Sequence, residues 1–361
     1  MKAAIMREVG KPLSIEEVQI NKPGPREVLI RTAAAGVCHS DLHFIDGHYP
    51  YPLPVIMGHE SSGVVEAVGS DVTYVQPGDH VITCLSVFCG HCEDCLSGHM
   101  SRCQNPEVRR SPMGPQPFNQ DGKPIFQFIN LSSFAEQMVV HEHALVKIRK
   151  DMPLDRAALI GCGVTTGVGA VIHTAKVEPG STVAVIGCGG VGLSAINGAA
   201  IAGAGRIIAI DMQPAKLELA KRFGATDVVN PKDGDAVARV IEMTGGGVHY
   251  SFEAIGLKAT AEQAFKMLRR GGAATIIGMI PVGVMIELHG AELLTEKKIQ
   301  GSIMGSNRFR IDMPRFVDFY MAGKLHLDEM VARRVKLSEV NESLAALKTG
   351  ETARNVIVFD H

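Results

Sequence analysis

The stretch that most constrains the fold covers residues 181–211 and reads STVAVIGCGGVGLSAINGAAIAGAGRIIAID. An apolar run at 183–186 leads directly into a turn of the form G-x-G-x-x-G, formed by Gly187, Gly189 and Gly192. A helical stretch and a second apolar run follow, so the pattern predicts strand, glycine turn, helix and strand. The alternative interpretation is a glycine-rich turn between core elements that binds nothing.

Each glycine of this turn has a physical reason to be there. The first allows a tight turn, the second lets the backbone approach a pyrophosphate, and the third lets helix and strand pack closely. The helix N-terminus then faces the anion. Asp211 ends the second strand, about 20 residues further on, as the motif requires. A carboxylate there accepts hydrogen bonds from an adenosine ribose diol and repels a 2′-phosphate, which favours NAD over NADP.

Strands and helices continue to alternate between about Thr165 and Met304. The predicted strands are 183–186, 206–211, 227–230, 248–256, 273–279 and 298–305. The predicted helices after the glycine-turn helix are 214–224, 234–246 and 258–272. This alternation indicates an α/β fold with a doubly wound parallel sheet and helices on both of its faces.

The rest of the chain has a different pattern. Residues 1–164 carry short valine and isoleucine runs between glycine and proline turns, which predicts a β-rich domain. The tail contains helical stretches at 312–325 and 337–350 and a strand at 354–360. Because 361 residues are too many for one ordinary domain, we expect two. Their boundaries are 1–164 with 305–361, where the tail returns to the first domain, and 165–304.

Composition excludes several classes of function. The chain is 46% hydrophobic and 20% charged, with a formal net charge of -2, the balance of a globular protein with a substantial core. Its basic residues form no patch suited to nucleic acid or a membrane surface. The N-terminus lacks the pattern of a secretory signal, and glycines and Arg206 interrupt the most apolar long run, at 182–210. We therefore expect a cytoplasmic protein with no nucleic-acid or membrane partner.

Four of the eight cysteines lie within fifteen residues, spaced C-x2-C-x2-C-x7-C. They are Cys89, Cys92, Cys95 and Cys103. In a reducing compartment, clustered cysteines are more often metal ligands than disulfides. Four thiolates complete a tetrahedral Zn²⁺ and leave no position for a substrate, so the spacing predicts a closed structural zinc site. An iron–sulfur cluster, a redox pair and unrelated surface thiols are the alternatives.

A second, open metal site has three candidate ligands. Cys38 lies in GVCHSD, His59 in MGHESSG and Cys162 in LIGCGVTTG. Two cysteines and one histidine would form a Cys2His zinc site with a fourth position open for water or substrate. Sequence spacing does not show that the three side chains meet, and a single cysteine is more often a core residue.

Taken together, these motifs resemble those of the zinc-dependent, medium-chain alcohol dehydrogenases over essentially the full length of the chain. The similar segments are GVCHSD, GHESSGVVEAVG, PGDHV, the four-cysteine lobe, LIGCGVTTGVGAV and GCGGVGLS. DGKPIFQFINLSSFAEQMVV is similar to the long-loop branch that contains the class I and class III enzymes. The resemblance implies a GroES-like catalytic domain, a Rossmann domain, two zinc ions per chain and hydride transfer between an alcohol and NAD.

The resemblance also implies roles for residues around the two zinc ions. Cys38, His59 and Cys162 would hold the catalytic zinc, and the four clustered cysteines the structural zinc. Asp41 would orient the ring of His59, and Glu60 would lie close behind the ligands. The alternatives are a turn or helix-capping residue for Asp41 and a surface carboxylate for Glu60.

A proton path and a set of cofactor contacts are implied as well. Ser40 would take the hydroxyl proton, and His43 would pass it to solvent by way of a cofactor ribose hydroxyl, as its pKa near 6.5 allows. The alternative for His43 is an ordinary, partly exposed imidazole. The implied cofactor contacts are Lys216 at the adenosine ribose, Arg354 and His39 at the pyrophosphate, and Thr166. His39 stands where some relatives carry an arginine.

The substrate is less constrained. The resemblance places Leu85 and Phe128 in the apolar pocket walls, with Leu85 replacing an aromatic residue of some relatives and widening the pocket; both would otherwise be plain core. The acidic pair expected for a glutathione adduct is missing, and Glu107 stands where a basic residue would be wanted. We therefore expect medium-chain or aromatic primary alcohols as substrates.

Other functions and the oligomeric state stay open at this point. The alternatives to an alcohol dehydrogenase are an enzyme for polyols or amino-acid alcohols, an NAD(H)-binding sensor, and a dehydrogenase with trapped cofactor. Segment 281–294 resembles the strand through which relatives pair, which predicts a homodimer, with a tetramer possible.

Overall fold

The computed structural model describes residues 1–350 and 353–360. The chain divides into two compact units, here called unit 1 (Met1–Cys162 and Arg308–His361) and unit 2 (Gly163–Asn307). Each boundary lies two or three residues from the one that the sequence predicts. The first boundary, between Cys162 and Gly163, lies within the helical stretch Leu154–Ala175 and not in a loop.

The strands are numbered in chain order. They are β1 (Lys2–Met6), β2 (Ser14–Glu17), β3 (Gln19–Ile20), β4 (Glu27–Val37), β5 (Val55–Ile56), β6 (Ser61–Val68), β7 (His80–Thr83), β8 (Phe118–Gln120), β9 (Lys123–Gln127), β10 (Gln137–His141), β11 (Leu145–Ile148), β12 (Thr182–Ile186), β13 (Arg206–Ile210), β14 (Asp227–Val229), β15 (Val248–Glu253), β16 (Leu268–Ile276), β17 (Lys298–Gly301), β18 (Val331–Val335) and β19 (Arg354–Val358). The α-helices are α1 (His39–Ile45), α2 (Glu93–Leu96), α3 (Leu154–Leu159), α4 (Thr165–Gly169), α5 (Gly190–Ile201), α6 (Pro214–Arg222), α7 (Ala236–Thr244), α8 (Lys258–Lys266), α9 (Phe309–Met321) and α10 (Val340–Thr349).

Unit 1 is built on two β-sheets. One has the order β2-β1-β5-β9-β8-β3, and the other has the order β11-β7-β6-β4-β19-β18 with β10 also paired to β4. Strand β19 from the C-terminal tail lies antiparallel to β4, with Asn355 opposite Val37. The tail therefore completes the sheet of the N-terminal segment, as the sequence predicts.

The second half of β4 is made of small residues because its surroundings leave little room. A Cβ atom on Gly36 would collide with the Glu60 carboxylate. Bulkier side chains would push these elements apart, since protein interiors are close-packed. The small residues thereby bring the end of β4, and Cys38 just beyond it, next to Glu60.

Unit 2 contains the predicted parallel sheet, in the order β14-β13-β12-β15-β16-β17. In chain order within the unit this is 3-2-1-4-5-6, the arrangement of dinucleotide-binding domains. The central strands are rich in Val and Ile and are buried on both faces, as parallel strands covered by helices must be. Successive strands are added to one side of β12 up to β14 and to its other side from β15 onwards, so the strand order reverses between β12 and β15. Ligands of such sheets bind at that point, outside the carboxyl ends of the strands.

Several predicted elements have other bounds in the structure, and two of these differences have a clear physical reason. The helix predicted at 258–272 ends at Lys266, because β16 already begins at Leu268. The last strand is shorter than predicted and ends at Gly301. Segment 281–294 is not a strand: 285–289 has no regular secondary structure, and a 3-10 helix, Gly290–Thr295, follows. A strand needs a hydrogen-bonding partner, and this segment has none within its own chain among the described residues.

One helical stretch, Leu154–Ala175, is long and apolar enough to cross a membrane by length and composition alone. Its most apolar window is 83% buried inside the protein, however. This is the position of a core helix, which meets the same length and composition criteria.

Candidate active site and metal centres

The structure brings Cys38, His59 and Cys162 together. Their ligand atoms all lie within 4.8 Å of one another, and all three side chains are buried. Cys38 lies between β4 and α1, His59 between β5 and β6, and Cys162 in the wide helical turn Ile160–Val164. Wide turns of this π type are frequent at functional sites.

Asp41 holds two of these elements in place. Its Oδ1 lies 3.0 Å from Nδ1 of His59, and its Oδ2 accepts a hydrogen bond of 3.2 Å from the Cys38 backbone N–H. Both interpretations of Asp41 therefore apply, since it caps α1 and also orients the ring. Nε2 of His59 is buried and has no hydrogen-bond partner within the described residues. An imidazole that donates from Nδ1 to Asp41 has its lone pair on Nε2, as a metal ligand requires.

The groups around Cys38 favour its thiolate form, whereas Cys38 and then burial raise the pKa of Cys162 well above its usual range. The Cys162 thiol and then the Arg354 guanidinium hold the pKa of Cys38 well below its usual range, against the opposing effect of burial. Thiolate is the form that binds metals. Together with the free lone pair of His59, these residues fit a Cys2His zinc ion with one position left open.

Glu60 and Arg354 form a buried pair behind the ligands. Glu60 Oε1 lies 3.5 Å from Arg354 Nε, and the two side chains are 0% and 3% exposed. Nη1 of Arg354 donates to the carbonyl of Val37 at 3.3 Å. Glu60 is therefore not a surface carboxylate. These contacts of Arg354 are internal to unit 1, so its contact with the pyrophosphate stays a prediction.

Ser40 and His43 lie on the first helix after Cys38. The Ser40 hydroxyl is half-buried, and its Oγ lies 3.6 Å from Cys38 Sγ. His43 is also half-buried. Burial, followed by the charges of His39 and His48, lowers the pKa of His43 below its ordinary value. His39 itself is exposed.

The four clustered cysteines converge in unit 1. The sulfurs of Cys89 and Cys95 are 3.9 Å apart and those of Cys92 and Cys103 are 3.8 Å apart, with all four within 4.8 Å of one another. Zn–S bonds of about 2.3 Å in a tetrahedron place sulfurs about 3.8 Å apart. A disulfide would need about 2.05 Å. A multi-iron cluster would spread the sulfurs further, because each binds a different iron atom. The spacing fits one tetrahedral ion.

Backbone groups of this lobe also favour the thiolate form of Cys89. The Cys92 N–H points to Cys89 Sγ at 3.3 Å. Although burial opposes the effect, the backbone N–H groups of His91 and Cys92 lower the pKa of Cys89 to about 6. Burial, with the neighbouring thiols of Cys92 and Cys103, raises the pKa of Cys95 to about 12, so thiolate is favoured at Cys89 and not at Cys95.

The glycine turn has the geometry that its sequence predicts. Gly187 has φ of +93°, in the left-handed region that glycine tolerates. A Cβ on Gly189 would have no atom within 4 Å, so space is open where the backbone would approach a pyrophosphate. A Cβ on Gly192 would collide with the carbonyl oxygen of Gly187. These three environments fit a bound dinucleotide.

Asp211 lies directly after β13 and is half-buried. Its two carboxylate oxygens accept hydrogen bonds from the backbone N–H groups of Cys188 at 2.8 Å and Gln213 at 2.9 Å. Each oxygen keeps a second lone pair for a ribose hydroxyl. Lys216 lies half-buried on α6, and Thr166 is buried on α4 with its hydroxyl 3.4 Å from Met304 Sδ.

The structure shows further residues at this edge of the sheet that motif analysis missed. Met212 and Ile255, which follow β13 and β15, are exposed apolar residues, and Ile255 lies beside Gly187. Glu253 is buried, and its Oε1 accepts hydrogen bonds from the N–H groups of Ile255 and Gly256. Apolar and acidic residues directly after parallel strands were the available signal, since ligands bind at those strand ends.

The two expected pocket residues have different surroundings. Phe128 is completely buried, with its ring centroid 6.1 Å from that of His59 and 4.9 Å from that of Phe44. Leu85 is partly buried against the core cluster that contains Cys89. Phe128 thus lies beside a zinc-ligand candidate, and the pocket role of both residues stays a prediction.

Known proteins match the chain over its full length. The alcohol dehydrogenase GroES-like domain model matches 24–150, and the zinc-binding dehydrogenase model matches 190–321. An alcohol dehydrogenase class-3 of Cereibacter sphaeroides is 41% identical, with 99% of each chain covered. An S-(hydroxymethyl)glutathione dehydrogenase of Synechocystis is also 41% identical, again with 99% of each covered.

A solved structure agrees with these relatives. The benzyl alcohol dehydrogenase of Acinetobacter calcoaceticus superimposes with a TM-score of 0.94 at 34% identity, covering 99% of both chains. The full-length identity, the two family matches and the two convergent sets of ligands all lead to the same assignment. The chain belongs to the zinc-dependent, medium-chain alcohol dehydrogenases and is a zinc-containing alcohol dehydrogenase that uses a nicotinamide dinucleotide.

Proposed function

We propose that this enzyme transfers hydride between medium-chain or aromatic primary alcohols and NAD, and reduces the corresponding aldehydes in reverse. The observation that carries the proposal is the buried convergence of Cys38, His59 and Cys162, with an unpartnered Nε2 on His59. A sensor that only binds NAD(H) needs no such open site with a hydroxyl beside it.

The chain supplies binding groups and a route for the proton. When bound, zinc acts as a Lewis acid that makes the alcohol hydroxyl acidic near neutral pH, and the nicotinamide accepts the hydride. Ser40 accepts the hydroxyl proton in a hydrogen bond, and His43 carries it outward. Asp41 keeps the ring of His59 in one orientation, and Arg354 balances the negative charge of the thiolates and Glu60.

The size of the substrate is inferred from the apolar residues. The aromatic side chains Phe44, Tyr51 and Phe128 pack edge to face on the side of His59. Leu85 in place of an aromatic residue would leave room for a ring or a longer alkyl chain. The full-length similarity to a benzyl alcohol dehydrogenase supports the same substrate class.

A glutathione adduct is the second candidate substrate, because two relatives at 41% identity carry class-3 or hydroxymethylglutathione names. The charges near Glu107 argue against it. Glu107 is exposed and lies 3.7 Å from Arg26 and 3.3 Å from His91, so it presents a carboxylate where an anionic peptide would need a cation. Polyols and amino-acid alcohols have less support, because the long-loop segment and Ser40 are similar to those of the class I and class III branch.

The deciding experiment is the initial rate of NADH formation by zinc-replete enzyme with ethanol, hexanol, benzyl alcohol, a secondary alcohol, a polyol and hydroxymethylglutathione. We expect hexanol and benzyl alcohol to have the highest kcat/KM. A preference for hydroxymethylglutathione would overturn the substrate assignment. If no substrate turned over, NAD(H) released from denatured protein would reveal a trapped cofactor, and its absence would favour a sensor.

Asp211 should decide the cofactor preference. Asp211→Asn removes the negative charge that attracts ribose hydroxyls and repels a 2′-phosphate. Hydrogen bonds to charged groups contribute about 1.5–3 kcal/mol, so we expect kcat/KM for NAD to fall about 10- to 100-fold, with a smaller or no loss for NADP. Glu218→Gln, on the exposed side of α6, is the matched control and should change neither. Equal losses for both cofactors would contradict the proposed role.

His39 should limit how tightly NADH is held. A neutral imidazole at the expected pyrophosphate position contributes less than a guanidinium, so His39→Arg should lower the NADH dissociation constant about tenfold. His39→Gln should leave it nearly unchanged, which separates charge from side-chain size. Fluorescence titration with NADH measures both variants. An unchanged NADH dissociation constant in His39→Arg would contradict a contact of residue 39 with the pyrophosphate.

We further propose that the enzyme is a cytoplasmic homodimer, with a tetramer as the alternative. Val282, Met285 and Leu294 are 70%, 75% and 89% exposed, in the segment that has no strand partner within its own chain. Pairing with a second copy would cover this apolar surface. All eight cysteines are free thiols, which agrees with a reducing compartment.

A further inference from the structure

His43 has a histidine neighbour that the proton route described above does not use. After α1 ends at Ile45, the chain reverses through Gly47, whose φ is +81°. The reversal brings the His48 N–H to the carbonyl oxygen of His43 at 2.8 Å. A Cβ on Gly47 would lie 2.7 Å from the Val9 side chain, and its left-handed backbone favours glycine in any case. Local backbone geometry therefore fixes His48 beside His43.

The two imidazole rings are joined through equivalent nitrogens. Nδ1 of His43 lies 3.3 Å from Nδ1 of His48, and the ring centroids are 5.6 Å apart. In a hydrogen bond between them, one Nδ1 carries the hydrogen and the other offers its lone pair. When His43 donates, the lone pair of its ring lies on Nε2, at the other side of the ring. His43 can then accept a proton at Nε2 while it releases one from Nδ1.

Of the two histidines, His48 is the one more exposed to solvent. His48 is exposed, whereas His43 is half-buried. His39 and Tyr49 face His43 with ring centroids 6.1 Å away, and the nearby Asp46 is held by Lys348 of α10 at 2.6 Å. Cys38 adds a more distant negative charge. The cluster is not a third metal centre, since only the two cysteine-containing groups converge among the described residues.

We propose that His48 is a second proton-carrying residue, which takes the proton from His43 and delivers it to solvent. The inference rests on the proposed alcohol oxidation. The proton from the alcohol binds Nε2 of His43, the Nδ1–H bond of His43 breaks, and an N–H bond forms at Nδ1 of His48. His48 then releases its Nε2 proton to water, so no charge accumulates. The starting tautomers return by exchange with solvent, and aldehyde reduction uses the same steps in reverse.

The acidity of His43 supports this direction. Burial and the charges of His39 and His48 lower the pKa of His43, so the ring does not retain a proton that reaches it. An exposed imidazole next to it stays hydrated when it is charged and so suits the outer position.

Two variants of His48 separate proton transfer from hydrogen bonding. His48→Asn keeps a side-chain amide where Nδ1 lies and can still hydrogen-bond His43, but it cannot carry a proton. His48→Leu removes both functions. Lys266→Gln, which removes an exposed titratable group on α8, is the control. The first measurement is the burst of NADH formation with benzyl alcohol in weak buffer from pH 6 to 9. The second is NMR titration of ¹³C-labelled histidine.

We expect both His48 variants to slow the burst about three- to tenfold below neutral pH, with recovery on adding imidazole, and a double variant with His43→Gln to be no slower than His43→Gln alone. NMR should show a higher His43 pKa in both variants, because a like charge is removed. A wild-type rate in His48→Asn, or additive losses in the double variant, would overturn the relay. No burst in the wild-type enzyme with any alcohol would overturn the proposed function too, so the two failures are distinguishable.

Discussion

His59→Asn should leave a folded protein that has lost almost all activity and holds one zinc per chain instead of two. The variant removes Nε2, the one nitrogen among the three convergent ligand atoms, and keeps the four-cysteine lobe intact. Lewis-acid stabilisation contributes several kcal/mol, and about 4 kcal/mol corresponds to a loss of about a thousandfold in kcat/KM. Metal analysis and the initial rate with benzyl alcohol measure the two effects.

Asp41→Asn should cause a smaller loss of activity than His59→Asn. The amide can still contact His59, but it no longer offers a charged acceptor to the ring N–H at 3.0 Å. Loss of such a partner costs about 10- to 100-fold in metal affinity or activity. We therefore expect an intermediate rate that excess zinc partly restores.

If His59→Asn kept two zinc ions per chain or substantial activity, the assignment of the open site would be wrong.

Cys103→Ser should have the largest effect on stability. Cys103 is completely buried and belongs to a lobe of short helical turns in which the four thiols converge. Structural zinc sites supply folding free energy directly, because the unfolded chain has no formed site. We expect loss of one zinc per chain and a fall of at least about 10 °C in the thermal midpoint, at about 2–4 °C per kcal/mol. Calorimetry with metal analysis measures both.

Cys84→Ala is the matched control for this stability prediction. Cys84 is equally buried, with a pKa raised to about 12 by burial, but it belongs to neither convergent group. Removing it should cost about 1 kcal/mol through a small cavity and should keep both zinc ions. Similar losses in the two variants would indicate that Cys103 acts through packing alone and would contradict a structural zinc.

The inferences that the sequence supported by itself rest on short-range patterns. The glycine turn, the apolar runs and Asp211 lie within 31 residues, so their roles follow from one strand–turn–helix–strand unit. The four clustered cysteines are close enough in sequence for convergence on one ion to be expected. Periodicity also predicted the parallel sheet, because each strand and helix of unit 2 has its own apolar pattern.

Other features needed the tertiary structure. Helix 258–272 was predicted too long. Its last predicted residues belong to β16, which begins at Leu268 and pairs with β15, and this pairing is not visible in the local sequence pattern. Segment 281–294 has the sequence pattern of a strand, but a β-strand forms only where a neighbouring strand accepts and donates its backbone hydrogen bonds. Nothing in the sequence of 43–48 shows that a reversal at Gly47 would bring two imidazole rings within hydrogen-bonding distance.

The open metal site shows the same division most clearly. The sequence by itself determined the fold class, the nucleotide-binding turn and the structural-zinc spacing, since local spacing and periodicity carry that information. Only the tertiary structure decided that Cys38, His59 and Cys162 meet, that Asp41 orients the ring, and that Arg354 lies buried against Glu60. Three ligands on three separate elements converge only when the sheet of unit 1 packs, and no local pattern encodes that packing.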